Sequence, residues 1–287
     1  MRRVRAALAP YLLALPGGLW LAVFLVVPIA TMASVALQTG NLMDGFSQTF
    51  NIAIFGEVFA QYHTQFLRSI VYGGIATVIM LVVAYPMAYW IAFKAGRRKS
   101  VYLFLILLPF FVSFVLRTIS WGFLLADDGI VLAPLRDLGL IPDDFHILAT
   151  TTAVIGGLVY NFLPFMVLPI YVALERVDPR VIEAAQDLYA GRFQAFVRVV
   201  LPLSLPGVFA GVLMTFIPAT SDPVNAQILG GTSNTMIGNI IYTEYLVNND
   251  YPAASALSFM LMAVLLIGIF VYARALGTEN VMEAAAR

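Results

Sequence analysis

Cysteine is absent from this chain, which excludes disulfides and thiolate metal sites. Histidine is almost absent: His63 and His146 are the whole supply, and both lie outside the long apolar runs. That is too little for a histidine-built metal centre, or for the nucleophile–base constellation of an intramembrane enzyme. Charge is scarce as well. Asp, Glu, Lys and Arg make up 11% of the residues, against about 25% in a soluble domain. Sixteen basic residues balance sixteen acidic ones, so the basic excess of a nucleic-acid binder is missing. Lys94 and Lys99 are the lysines, and neither lies in a G-x-x-x-x-G-K-S/T loop. This chain is therefore not expected to hydrolyse ATP. Low-complexity segments and internal repeats are also lacking.

Apolar side chains are plentiful. They form 61% of the chain, and the mean hydropathy is +0.90. So little polar surface cannot cover a water-soluble globule, and the chain reads as an integral membrane protein. A helix needs about 20 mainly apolar residues to cross a bilayer. Six runs qualify: 11–37, 67–93, 101–125, 148–174, 205–224 and 253–272. Pro86, Pro109, Pro164, Pro169, Pro206 and Pro218 fall inside them, where neighbouring helices and hydroxyl groups can satisfy the freed backbone. They suggest kinks around a pathway, or packing alone. The first run follows Arg2, Arg3 and Arg5 like the start of a signal peptide. It continues to Leu37, well past a signal core of about 7–15 residues, and reads as a retained span.

Lys and Arg set the orientation. Thirteen of the sixteen cluster before span one, between spans two and three, between spans four and five, and after span six; Arg68, Arg117 and Arg136 are the exceptions. Both termini and the two basic loops are expected in the cytoplasm. The outer segments 38–65, 126–147 and 225–252 are long enough to build a shaped rim.

One polar stretch interrupts the apolar runs: DPRVIEAAQDLYAGRFQAFVRVVLP, residues 178–202. Asp178 followed by Pro179 starts a helix, because Asp caps free amides and proline suits the first helical position. Ile182, Ala185 and Tyr189 give one apolar face. Ala190-Gly191 breaks the run, Phe193, Phe196, Val197 and Val200 form a second stripe, and Leu201-Pro202 is expected to end it. Two short amphipathic helices can rest on lipid headgroups or dock a cytoplasmic partner.

These residues carry a resemblance. Glu183-Ala184-Ala185, Asp187-Leu188 and Val199-Val200-Leu201-Pro202 look like the EAA loop of binding-protein-dependent ABC importer permeases. The family pattern is E-A-A, a glycine four residues after the second alanine, nine further residues, then aliphatic-x-Leu-Pro. Tyr189 stands at the glycine position, and Gly191 is expected to supply the flexibility instead. Residues 114–121, 216–220, 229–231 and 236–241, with Ser255-Ala256, resemble spermidine/putrescine permeases of the PotB kind; some pieces are shared with iron permeases. The resemblance implies an all-α, type I ABC importer permease (MetI-like) fold: one transmembrane domain over 1–287, with a coupling loop at about 176–204. It implies a separate ATPase dimer that binds ATP and Mg, so that this chain carries no cofactor of its own. It also implies a second permease (PotC-like, or a second copy) and an extracytoplasmic substrate-binding protein. A permease for ferric iron or another small solute is the alternative. A secondary transporter would need intramembrane carboxylates, and Asp222 alone lies near enough to a span.

Residues outside the loop are weighed singly. Arg117 interrupts an apolar run and must snorkel, pair with Asp127 or Asp128, or face the pathway. Trp121 is an interfacial anchor or an aromatic wall. Asp127-Asp128-Gly129 reads as a helix-ending turn or as a rim contact to the binding protein. Asp222 either caps a following turn or pairs with Arg117, or it lends negative potential to the pathway. Glu244 and Tyr245 are solvated or dock a partner at the rim. Arg97, Arg98 and Lys99 are a topology signal.

Overall fold

The computed structural model describes residues 2–142 and 144–275, with side chains over 14–142 and 144–274. Side chains of the N-terminal arginines, and Arg287 altogether, lie outside the described residues. Contacts divide the chain into two units, 1–62 with 241–260 and 63–240 with 261–287.

The helices are α1 (Arg2–Ala36), α2 (Ala53–Phe93), α3 (Lys99–Leu107), α4 (Phe114–Leu124), α5 (Leu132–Asp137), α6 (Thr151–Glu175) and α7 (Pro179–Asp187). After them come α8 (Arg192–Ala195), α9 (Leu201–Ser221), α10 (Val224–Leu229), α11 (Ile237–Leu246) and α12 (Tyr251–Ala275). Among the described residues, five helical stretches are long and apolar enough to cross a membrane, and six when a bent pair counts as one. The expected all-α, six-span architecture therefore holds, with three departures.

Span three is broken. After α3 a tight turn runs over Leu108–Phe111, Val112 and Ser113 are extended, and α4 leaves at 88°. Pro109 is at the break, where it lacks the N–H a continuing helix needs. Pro86, Pro164, Pro169, Pro206 and Pro218 stay inside continuous helices.

Span five begins early. α8 passes through a π-helical turn at Phe196–Val200 directly into α9, giving one stretch over Arg192–Ser221. Pro202 does not end the loop helix, as the sequence suggested; it sits in the first turn of α9, where its missing N–H is tolerated. The preceding π turn already shifts the bonding pattern by one residue.

The segment between α1 and α2 holds a β-hairpin, unforeseen in the sequence. In the first unit, β1 (Gln38–Asn41) pairs antiparallel with β2 (Gly45–Gln48), with Asn41 opposite Gly45. Asn41 Oδ1 accepts the N–H groups of Met43 and Asp44, both at 2.9 Å. Gly40 and Gly45 take φ of 131° and 82°, values open mainly to glycine. The remainder of the 38–65 segment, from Ala53, belongs to α2, a helix of 41 residues.

In the second unit the core lies along α2, α6 and α9. Ala76, Met80, Ala84 and Ala88 recur every four residues on α2 and are wholly buried. α6 and α9 meet through Gly207 and Gly211, a small-x-x-x-small pair that lets backbones approach. A Cβ on Gly207 would sit 2.5 Å from the Pro169 carbonyl oxygen and 2.5 Å from the Ala173 Cβ. At Gly211 it would meet the more yielding Met166 sulfur at 2.8 Å.

Candidate coupling loop and buried polar clusters

The loop between α6 and α9 is built as its sequence directs at its start. Asp178 caps α7, accepting the Arg180 N–H at 2.9 Å, with Pro179 in the first turn. Ile182 and Ala185 are half-buried, while Glu183, Ala184 and Asp187 are exposed. Beyond the bend, Phe196 packs edge-on against Tyr85 and Tyr89 of α2, at 5.7 and 5.8 Å. Ala195 and Val200 are buried, but Phe193 is 77% exposed, so the second stripe is only partly an inward face.

The bend itself differs from expectation. The Tyr189 N–H donates to the Gln186 carbonyl at 3.0 Å, and the Ala190 N–H to the Ala185 carbonyl at 3.1 Å. Paired bonds of this kind close a helix through one left-handed residue, usually glycine. Here that residue is Tyr189, with φ of 62°. A left-handed conformation costs a residue with a Cβ roughly 1–2 kcal/mol. Gly191 does not take over the glycine's role: its φ of −61° and ψ of 159° suit any residue. Nor does Tyr189 lie on the apolar face of α7; its side chain is 98% exposed, next to Leu188 at 81%. Nearby, Lys99 pairs with Glu175 at 3.3 Å, both partly exposed, so one member of the basic set also ties α3 to the end of α6.

At the other end of α9 the second unit buries a polar network. Asp222 caps α10: its carboxylate accepts the Val224 N–H at 3.3 Å, the Asn225 N–H at 2.8 Å and Asn225 Nδ2 at 2.8 Å. Asn225 Oδ1 in turn accepts Asn161 Nδ2 at 3.0 Å, and that nitrogen also reaches Thr118 Oγ1 at 3.1 Å. Asn239 closes the next turn, donating to the Pro223 carbonyl and accepting the Met236 N–H at 2.9 Å. Gly238 must be glycine, because a Cβ would strike the Ser221 carbonyl. Asp222 makes no ion pair with Arg117 among the described residues.

Arg117 does not pair with Asp127 or Asp128 either. Asp127 faces Arg136 at 3.8 Å. The Arg117 guanidinium is buried over the rings of Phe110 and Phe114, at 4.8 and 5.8 Å, and its Nε and Nη1 have no hydrogen-bond partner. Aromatic faces attract a cation and offset part of its desolvation. Trp121, four residues on, packs edge-on against Tyr160 at 5.2 Å. The Gly129 N–H bonds the Ala126 carbonyl at 2.8 Å, the helix-ending turn expected there.

Glu244 belongs to the first unit, and it is not a solvated rim residue. It is 9% exposed, accepts the Tyr62 hydroxyl at 2.5 Å and Asn248 Nδ2 at 3.0 Å, and lines a cavity of about 530 Å³. Glu57, Gln61 and Asp250 share that lining. Tyr245 is half-exposed, and its ring meets Tyr251 in a tilted pair at 5.1 Å.

The profile of the family described as "Binding-protein-dependent transport system inner membrane component" matches residues 84–276. The spermidine/putrescine transport system permease protein PotB of Haemophilus influenzae is 37% identical over 257 residues, 89% of this chain and 90% of its own. PotB of Escherichia coli K12 is 33% identical over the same length, 94% of its own. Among solved structures, a chain of a bacterial ABC transporter involved in import of the acidic polysaccharide alginate superposes with a TM-score of 0.76 at 18% identity. That match covers 96% of this chain and 97% of the other. A second structure, the alginate ABC transporter in complex with an alginate pentasaccharide-bound periplasmic protein, gives 0.72 at 20% identity over 97% of each chain. With this fold and these relatives, the chain belongs to the binding-protein-dependent inner membrane components, the permease subunits of ABC importers.

Proposed function

We propose that this chain is one permease subunit of an ATP-driven importer whose solute is a polyamine such as spermidine or putrescine. The observation that carries the reading is the exposed 178–202 loop. Its inward side chains are anchored on α2, and Glu183, Ala184, Asp187, Leu188 and Tyr189 are left facing outward for a partner. Ala185, Gly191, Leu201 and Pro202 shape the same segment. The partner is a separate ATPase dimer that holds ATP and Mg; this subunit itself carries no cofactor and catalyses no hydrolysis. The domain of residues 1–287, with its coupling loop at about 176–204, lies in a bacterial inner membrane with both termini cytoplasmic. A second permease, PotC-like or another copy, completes the pathway, and an extracytoplasmic binding protein delivers the solute. The polyamine rests on what the PotB relatives are named for. Arg117, Trp121 and Glu244 contribute to the pathway, and Asp222 contributes negative potential from its capping position.

ATP-driven closure of the ATPase dimer draws the two coupling loops together and rocks the spans, so nucleotide biases a two-state pore. The test is a reconstituted complex carrying Glu183→Lys. Solute-stimulated ATP hydrolysis is expected to fall at least about tenfold while membrane insertion persists. Unchanged stimulation by spermidine refutes coupling through this loop, and stimulation by ferric complexes but not by polyamines refutes the solute.

A further inference from the structure

Tyr189 combines two properties that work against each other inside this chain. Its backbone is held left-handed at φ 62° by the bonds that end α7. A glycine makes that turn without steric penalty. A tyrosine keeps its place there only if its ring returns something. Within the chain it returns nothing: the side chain is 98% exposed, and it makes no hydrogen bond or ring contact with any described residue.

The surroundings indicate where the ring is used. Leu188 and Phe193, 81% and 77% exposed, flank it and form an apolar tip. Phe196, Ala195 and Ile182 hold the base of the loop inward, so the tip projects from an anchored support. Glu183 and Asp187 stand exposed on the turns just before the tip. Arg180, Arg192 and Arg198 are exposed around the same tip, so charges of both signs rim it, whereas an anionic leaflet selects basic segments. An apolar tip with a mixed-charge rim suits a protein surface that offers an apolar recess among polar groups. Tyrosine is a frequent anchor in such recesses, because it buries a large rigid ring at little entropic cost and keeps a polar end.

We infer that Tyr189 is a recognition anchor for the ATPase subunit: its ring enters an apolar recess on that partner, and the left-handed turn exists in this chain to aim it there. The inference rests on the coupling-loop reading above, and the experiment separates the two. Permease complexes in nanodiscs are titrated with the ATPase subunit, for the wild type and for Tyr189→Gly, Tyr189→Phe and Leu188→Asp. Tyr189→Gly removes the ring and relaxes the backbone, so the variant folds at least as well as the parent. It is expected to weaken ATPase binding by about tenfold or more, with no fall in the melting temperature of the permease. Tyr189→Phe is expected to stay within about threefold of wild type, because the ring is retained. Wild-type affinity in Tyr189→Gly, with loss in Leu188→Asp, overturns the anchor and leaves the docking loop standing. Wild-type affinity in both overturns the docking loop as well. A defect in Tyr189→Gly that appears in anionic nanodiscs and vanishes in zwitterionic ones assigns the ring to lipid and also overturns the anchor.

Discussion

Gly207 offers the sharpest test of how the second unit is packed. Replacing it with alanine adds one methyl group where α9 crosses α6. The new Cβ would stand 2.5 Å from the Pro169 carbonyl oxygen and from the Ala173 Cβ, and 3.1 Å from the Ile170 Cα. The Pro169 oxygen and Ile170 Cα are backbone atoms and cannot rotate away. To reach ordinary contact at 3.4 Å, α9 must retreat by about 0.9 Å. A gap of about 0.5–1 Å forfeits a quarter to a half of each dispersion contact it opens. The contacts at risk include Val208, Met166 and Ile170, all buried. Overpacking of this kind costs about 1–3 kcal/mol. At roughly 2 kcal/mol, the melting temperature of the detergent-solubilised protein falls by about 4–8 °C. Gly74→Ala on α2 is the matched control, because a Cβ there meets nothing within 4 Å. Scanning fluorimetry of the two variants decides the matter. If Gly207→Ala melts with the wild type, or if Gly74→Ala falls as far, the close approach of α6 and α9 is not what holds this unit together.

Asp222→Asn replaces one acceptor oxygen with an NH2 that faces the N–H donors of Val224 and Asn225. About 1–2 kcal/mol of stability should go with the cap, read as a lower melting temperature. An unchanged melting temperature, with cationic uptake reduced at low ionic strength, shows instead that the charge acts on the solute. Tyr62→Phe removes the donor closest to the buried Glu244 carboxylate, a charge-assisted bond worth about 1.5–3 kcal/mol. Faster hydrogen exchange in α11 is the expected signature, and wild-type exchange rates there contradict it.

The spans were legible because lipid demands long apolar helices, and a run such as 148–174 has no other use. Their ends were not. Residues 53–66 of α2 carry Glu57, Gln61 and His63, so hydropathy excludes them although the helix runs through. The break at Pro109 looked no different in sequence from the prolines that stay inside helices. What decides it is the extended pair Val112-Ser113, which no pattern announces. The hairpin was hidden by its composition, since QTGN and GFSQ carry little β-branched content. In the loop, Asp178-Pro179 was a correct start signal, and the motif spacing located Tyr189 at the glycine position. The sequence could not tell that tyrosine would adopt the glycine's backbone rather than pass the duty to Gly191. The amide network carries little charge, so it leaves no charge signal in the sequence. Asn161 and Asn225, uncharged polar residues in or beside apolar runs, were the available signal, as was the Gly207–Gly211 spacing for the α6 contact.

The unbroken helical run from Arg192 to Ser221 places the second half of the 178–202 loop and the Asp222 cap at opposite ends of one rod. From the π turn outward, the 21 residues of α9 give an arm of about 30 Å. Because α9 is locked to α6 through Gly207 and Gly211, the two helices would have to tilt as a pair, and about 10° at that turn would carry the far end sideways by about 5 Å. A π turn is a natural fulcrum, because its bonding is already offset and can shift by a residue without opening the helix. Had Pro202 ended the loop helix, a push on the loop would be absorbed by a slack joint. As built, a displacement of the loop end would be carried along α9 to the Asp222–Asn225–Asn161 cluster.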